Sequence, residues 1–160
     1  MNPGISESVL VVVEDGAEWP GWLKSLEAGA GPMVYHQDEG EALPHFADRV
    51  SRQLETLIGR DQTVEMAVIA SNERCDDHAL DARRSIASAI LSFMAGHGNG
   101  RLLFTEGFRQ GGRSRAALSA LAADLAGEWE GAGVTVSVRF GDPSRPPQMS
   151  ERDIGVSRVA

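Results

Sequence analysis

Three short polar stretches, each standing directly after an apolar run, hold the residues best suited to chemistry in this chain. They are Glu14-Asp15-Gly16 after Val9–Val13, Asn72-Glu73-Arg74-Cys75 after the strand read over Val64–Ala70, and Glu106 to Ser114 after Leu102–Thr105. The third stretch leads into an alanine-rich helical pattern, so its arginines and the helix N-terminus together form a candidate anion site. Its plain alternative is a solvated turn, shaped by glycines, whose arginines offset an acidic chain. Asp15, Glu73, Glu106 and Arg109 suggest another chemistry: the carboxylate and arginine crevice of a small hydrolase or transferase, where close carboxylates raise one another's pKa. The candidate ligand-binding set is Asp15, Gly16, Asn72, Glu73, Arg74, Glu106, Arg109, Gly111, Gly112, Arg113 and Ser114. No residue is assigned as catalytic, because no nucleophile and base stand at a readable spacing.

Other motifs carry less. A P-loop is excluded, since G-x-x-x-x-G-K-[ST] does not occur. Gly96-His97-Gly98-Asn99-Gly100 imitates part of a dinucleotide fingerprint but lies ahead of a strand, not between strand and helix, and is rejected as one. Cys75 precedes a predicted helix with Arg74 and His78 nearby, a setting that lowers a thiol pKa; without a second cysteine or a phosphatase-type loop it reads as structural or incidental. Asp76, Asp77, His78 and Asp81 are explained by capping and a solvated helix face, so no metal site is assigned. Trp19 and Trp22 read as core or, alternatively, as a docking patch.

The elements that must position these residues follow from the apolar periodicity. Val9–Val13 is a continuous apolar run, as in a strand buried on both faces of a parallel sheet. A short helix follows from Glu18, then a short strand over Met33–His36. Leu43, Phe46, Ala47, Val50, Leu54, Leu57 and Ile58 mark one face of a long helix, with Asp38, Glu39 and Glu41 ahead of its N-terminus. Val64–Ala70 reads as a central strand, and Leu80, Ala87, Ile90, Leu91 and Met94 as the buried face of the next helix, which Asp76 or Asp77 can cap. Leu118, Leu121, Ala122, Leu125 and Trp129 face the last helix inward. Val134, Val136, Val138 and Phe140 alternate with Thr135, Ser137 and Arg139, the pattern of an edge strand with one wet face.

Strands alternating with helices predict right-handed crossovers and one doubly wound, mainly parallel, five-stranded sheet with helices on both faces, in a single α/β domain over residues 1–141. Residues 142–160 hold three prolines and no periodicity, and are expected to be an irregular tail. A ligand on such a sheet sits beyond the carboxyl ends of the strands, where the three polar stretches fall.

Composition narrows the partners. The chain of 160 residues is 42% hydrophobic and 24% charged, with a formal net charge of −8, which argues against nucleic acid and anionic membrane as partners. One cysteine suits a reducing compartment, and with no visible signal peptide or membrane span a cytoplasmic location is expected.

Residues 101–140, RLLFTEGFRQGGRSRAALSALAADLAGEWEGAGVTVSVRF, match without gaps the strand, loop, helix and strand lengths in the last third of a universal stress protein. Val9–Glu18, VLVVVEDGAE, looks like that family's first strand and acidic turn. The chain thus resembles the universal stress proteins, a flavodoxin-like group. In their nucleotide-binding branch the fourth strand is followed by Gly, two residues, Gly, nine residues, then Gly and Ser or Thr around ATP. Here those places hold Glu106, Arg109, Ser119 and Ala120, so a carboxylate meets phosphate and side chains block backbone approach. Only Asp15 matches that family's nucleotide contacts. The resemblance implies a non-catalytic, stress-response domain without conventional ATP binding, acting through a protein partner or small ligand, with no cofactor evident beyond an altered nucleotide mode. It also implies a homodimer, with Val134, Val136, Val138 and Phe140 as the seam along the last strand. The small hydrolase or transferase, and a purely structural subunit, stand as alternatives.

Overall fold

The computed structural model describes residues 9–17, 33–59, 63–72, 74–107 and 112–141. The expected short helix from Glu18 and the expected tail lie outside them. Five strands form one sheet: β1 (Val9–Val13), β2 (Met33–His36), β3 (Met66–Ser71), β4 (Gly100–Gly107) and β5 (Val134–Gly141). All pairs are parallel and the order is β2-β1-β3-β4-β5, a Rossmann-like α/β architecture with β3 in the centre and β5 at one edge. Three helices complete the described core: α1 (Leu43–Gly59), α2 (Asp77–Ala95) and α3 (Gly112–Glu128).

Side-chain alternation along the strands splits the apolar residues between the two sheet faces. Leu10, Val12, Ala67, Ile69, Leu102, Phe104 and Val136 share one buried cluster with residues of all three helices. Their neighbours Val9, Val11, Val13, Val68, Ala70 and Leu103 form a second cluster on the opposite face. Helix α2 is buried over the widest face, from Ala79 through Ile86, Ile90 and Met94, because it lies against β4 and both neighbouring helices.

The glycine run 96–100 is a packing device. A Cβ on Gly133, whose φ is +83°, would strike the Gly98 carbonyl, and one on Gly100 would strike the Met94 side chain. The turn after α2 and the turn before β5 are thereby brought into backbone contact at the amino end of the sheet.

Two strand boundaries differ from expectation. Val64 is buried against the helices but precedes β3. Strand β4 runs on through Glu106 and Gly107, which pair with Ser71, Phe140 and Gly141, so Glu106 belongs to the sheet and not to the loop beyond it. The ladder to two flanking strands carries β4 two residues past the end of its apolar run. Val136 is fully buried, and Val134 and Val138 pack against the same core, so these side chains hold β5 to the helices. The side chain of Phe140 lies outside the described residues.

Candidate functional site

The strand order reverses between β1 and β3, and the crevice outside their carboxyl ends is where a sheet of this type takes its ligand. A buried ion pair forms its floor. Glu14 leaves β1 and Arg83 reaches up from α2; Arg83 Nε donates to Glu14 Oε2 at 2.6 Å and Nη2 to Oε1 at 2.8 Å. The side chains are 2% and 0% exposed respectively for Arg83 and Glu14. The backbone N–H of Asn72, just after β3, also donates to Glu14 Oε1, at 3.0 Å. Arg83 Nη1 donates to the Arg74 carbonyl at 2.7 Å, and Nη2 also reaches Asn72 Oδ1 at 3.1 Å. Such a pair is tolerated away from water because the fork geometry is met and the surplus donors and acceptors find partners.

Asn72 ties the floor to its rim. Its Nδ2 donates to the Asp15 carbonyl at 2.9 Å, and its Oδ1 accepts from the Arg74 N–H at 3.0 Å. The Asp15 turn closes by an Ala17 N–H to Glu14 carbonyl bond of 3.0 Å, with Gly16 at φ +79° and no other atom within 4 Å of where a Cβ would sit. That left-handed conformation selects glycine, and among the described residues no atom fills the place of a Cβ there.

A second layer joins β2. Gln37 Oε1 accepts from the Asp15 N–H at 2.8 Å, and Gln37 Nε2 donates to the Glu41 carbonyl at 2.7 Å. Glu41 receives Arg49 Nε at 3.1 Å and Nη2 at 2.8 Å, plus the Asp38 N–H at 3.0 Å. Arg49 Nη2 also donates to the His36 carbonyl at 2.6 Å, and its guanidinium lies 5.0 Å from the Phe46 ring centre. The hydrogen bond from Arg49 holds the Glu41 carboxyl below the usual glutamate range. Arg74 likewise lowers Asp76 through a 3.0 Å bond at the surface. Asp76 stands at the N-cap of α2, but its carboxylate makes no capping bond.

Of the residues singled out by sequence, Asp15, Gly16, Asn72 and Arg74 converge at this switch point. Glu73, Arg109 and Gly111 lie outside the described residues. Gly112, Arg113 and Ser114 form the first turn of α3, with Arg113 exposed and Ser114 buried. Of the expected crevice of Asp15, Glu73, Glu106 and Arg109, the residues Glu73 and Arg109 and the side chain of Glu106 lie outside the described residues; the neighbouring Glu14 and Glu41 are each paired with an arginine. Arg83, Gln37 and Arg49 were missed. Arg83 did have a signal, for it falls at a core position of α2, four residues after Ala79 and three before Ile86. An arginine there requires a buried acid, and Glu14 ends a wholly buried strand.

Chemically, the floor is saturated. Both Glu14 oxygens accept bonds, and the Asp15 and Asn72 N–H groups are spent on side chains of the protein itself. Among the described residues, exposed groups at this edge include the Asp15 and Asp38 carboxylates and the half-exposed Arg74 guanidinium.

No protein-family model matches this chain, and no curated protein matches it either. Its parallel switch-point fold is that of solved short-chain dehydrogenases. A putative short-chain dehydrogenase from Pseudomonas syringae superposes with a TM-score of 0.58 at 15% identity, covering 86% of this chain and 78% of that one. A putative NAD(P)-dependent gluconate 5-dehydrogenase from Beutenbergia cavernae, with bound NADP at low occupancy, gives 0.55 at 21% identity over 84% and 72%. The 2-keto-3-deoxy-D-gluconate dehydrogenase of Streptococcus agalactiae gives 0.56 at 12% identity over 85% and 69%. The likeness is one of fold. It overturns the resemblance to universal stress proteins, and with it the reading as a non-catalytic stress-response domain. The misreading has a physical cause: residues 101–140 form one βαβ unit, whose element lengths are common to every parallel α/β sheet and do not separate one family from another.

Proposed function

We propose that this chain is an oxidoreductase domain of the short-chain dehydrogenase type, which lays a nicotinamide dinucleotide across the carboxyl ends of β1, β2 and β3. The observation that carries the reading is the strand order with its switch point at β1 and β3, in a fold shared with dehydrogenases. When bound, the dinucleotide supplies hydride transfer. The protein's own residues fit its adenosine half. Among the described residues nothing crowds the Asp15-Gly16 turn, and exposed Asp38, roughly twenty residues further on just after β2, could accept bonds from ribose hydroxyls. The fit departs at the pyrophosphate, because the Gly-x-Gly-x-x-Gly spacing does not follow β1. The Glu14, Arg83 and Asn72 network holds the floor and excludes water beneath the turn. A cytoplasmic setting accords with this cofactor class and with the single Cys75, and among the described residues no helix is long and apolar enough to cross a membrane. Pairing of two copies along β5 is a separate expectation, which sedimentation of the purified chain decides.

The deciding experiment is isothermal titration of the purified chain with NAD, NADH, NADP and NADPH. Saturable binding of at least one is expected; heats indistinguishable from dilution for all four would reject the reading.

A further inference from the structure

Among the described residues, a diphosphate entering the crevice finds two backbone donors already taken. A Rossmann-type site commonly holds phosphate by backbone N–H groups at the turn after β1. Here the Asp15 N–H is bonded to Gln37 and the Asn72 N–H to Glu14, so neither is available without breaking the floor. Among the described cations along the ends of β1, β2 and β3, Arg83 is buried with its ring of partners and Arg49 is committed to Glu41 and the His36 carbonyl. Arg74 differs. Its backbone is fixed from both sides, by Asn72 Oδ1 on the N–H and Arg83 Nη1 on the carbonyl, while its side chain is half-exposed and pairs with an equally exposed Asp76. One asparagine side chain bridges that backbone to the Asp15 carbonyl, tying Arg74 to the β1 turn.

We infer that Arg74 is a phosphate-binding residue of this crevice, exchanging its surface bond to Asp76 for a bidentate contact to the diphosphate of the nucleotide. The inference rests on the proposed function for the identity of the nucleotide, though not for the anion contact itself. A guanidinium fork on a rigid backbone matches phosphate geometry, and an exposed carboxylate is a weak competitor for it.

The test is titration of the wild-type chain and of Arg74→Gln, Arg74→Lys and Asp76→Asn with NADH, ADP, inorganic pyrophosphate and adenosine, with thermal melts to confirm folding. Arg74→Gln should weaken NADH, ADP and pyrophosphate roughly tenfold and leave adenosine unchanged, since one such contact is worth about one decade of affinity. Arg74→Lys should recover part of the loss, and Asp76→Asn, which keeps a good N-cap residue, should tighten the same three ligands. Unchanged affinities in Arg74→Gln, or an equal loss for adenosine, overturn the assignment. Pyrophosphate binding that depends on Arg74 in a chain that ignores NADH would support the anion site while rejecting the dinucleotide reading, and binding of none of the probes would reject both.

Discussion

Arg83 and Arg84 are adjacent on α2 and pair with carboxylates on opposite sides of it. Arg83 points into the crevice floor, where it and Glu14 are removed from water. Arg84 points away, reaching Asp124 at 3.0 Å and Glu128 at 3.3 Å on α3, with its own side chain 39% exposed and theirs 69% and 55%. The helix turns about 100° per residue, so one sequence step carries the same side chain from core to solvent. Burial then decides what each pair is worth: water screens the outer bridges, whereas the inner charges have no other way to be satisfied.

The contrast can be broken from its inner side first. Arg83→Met leaves the Glu14 carboxylate buried without its partner and should cost about 3–5 kcal/mol in urea unfolding, whereas the double variant Glu14→Leu with Arg83→Met should recover much of that loss. A double variant as unstable as the single one would show that the pair is not the unit of stability.

An intermediate case sharpens the comparison. Glu41 is only 8% exposed and its pKa is lowered by Arg49. A carboxyl depressed in the folded state contributes stability that is present above its unfolded pKa, about 4.3, and is lost as the pH falls through the folded value. Wild type should therefore lose stability on acidification below that point more steeply than Glu41→Gln, measured by melting temperature against pH. Parallel curves would mean that the Arg49 contact adds nothing to the fold.

The smallest effect belongs to the outer side. Arg84→Ala should change stability by less than about 1 kcal/mol, and the difference should vanish at high salt.

Much of the architecture was legible along the chain. Continuous apolar runs marked β1 and β3, the inward faces of α1 and α3 followed helical spacing, and β5 lies at an edge as its alternation suggested, although its polar face is not wet, since Ser137 is buried. Part of the site was legible too, since polar residues directly after buried strands had to gather at the carboxyl edge; Asp15, Gly16, Asn72 and Arg74 do so. A single βαβ unit could not separate one fold relative from another, because element lengths repeat across unrelated parallel sheets. Nor were the partners within the site, for Glu14 and Arg83 stand 69 residues apart.

By itself the sequence determined what local chemistry can determine: the strand and helix periods, the glycine demanded by the Asp15-Gly16 turn, the acidic balance and the parallel class. Only the tertiary structure decided which charges meet. Local periodicity says which way a side chain points, but the choice among several possible partners depends on strand order and helix placement, and those emerge only when the whole sheet assembles.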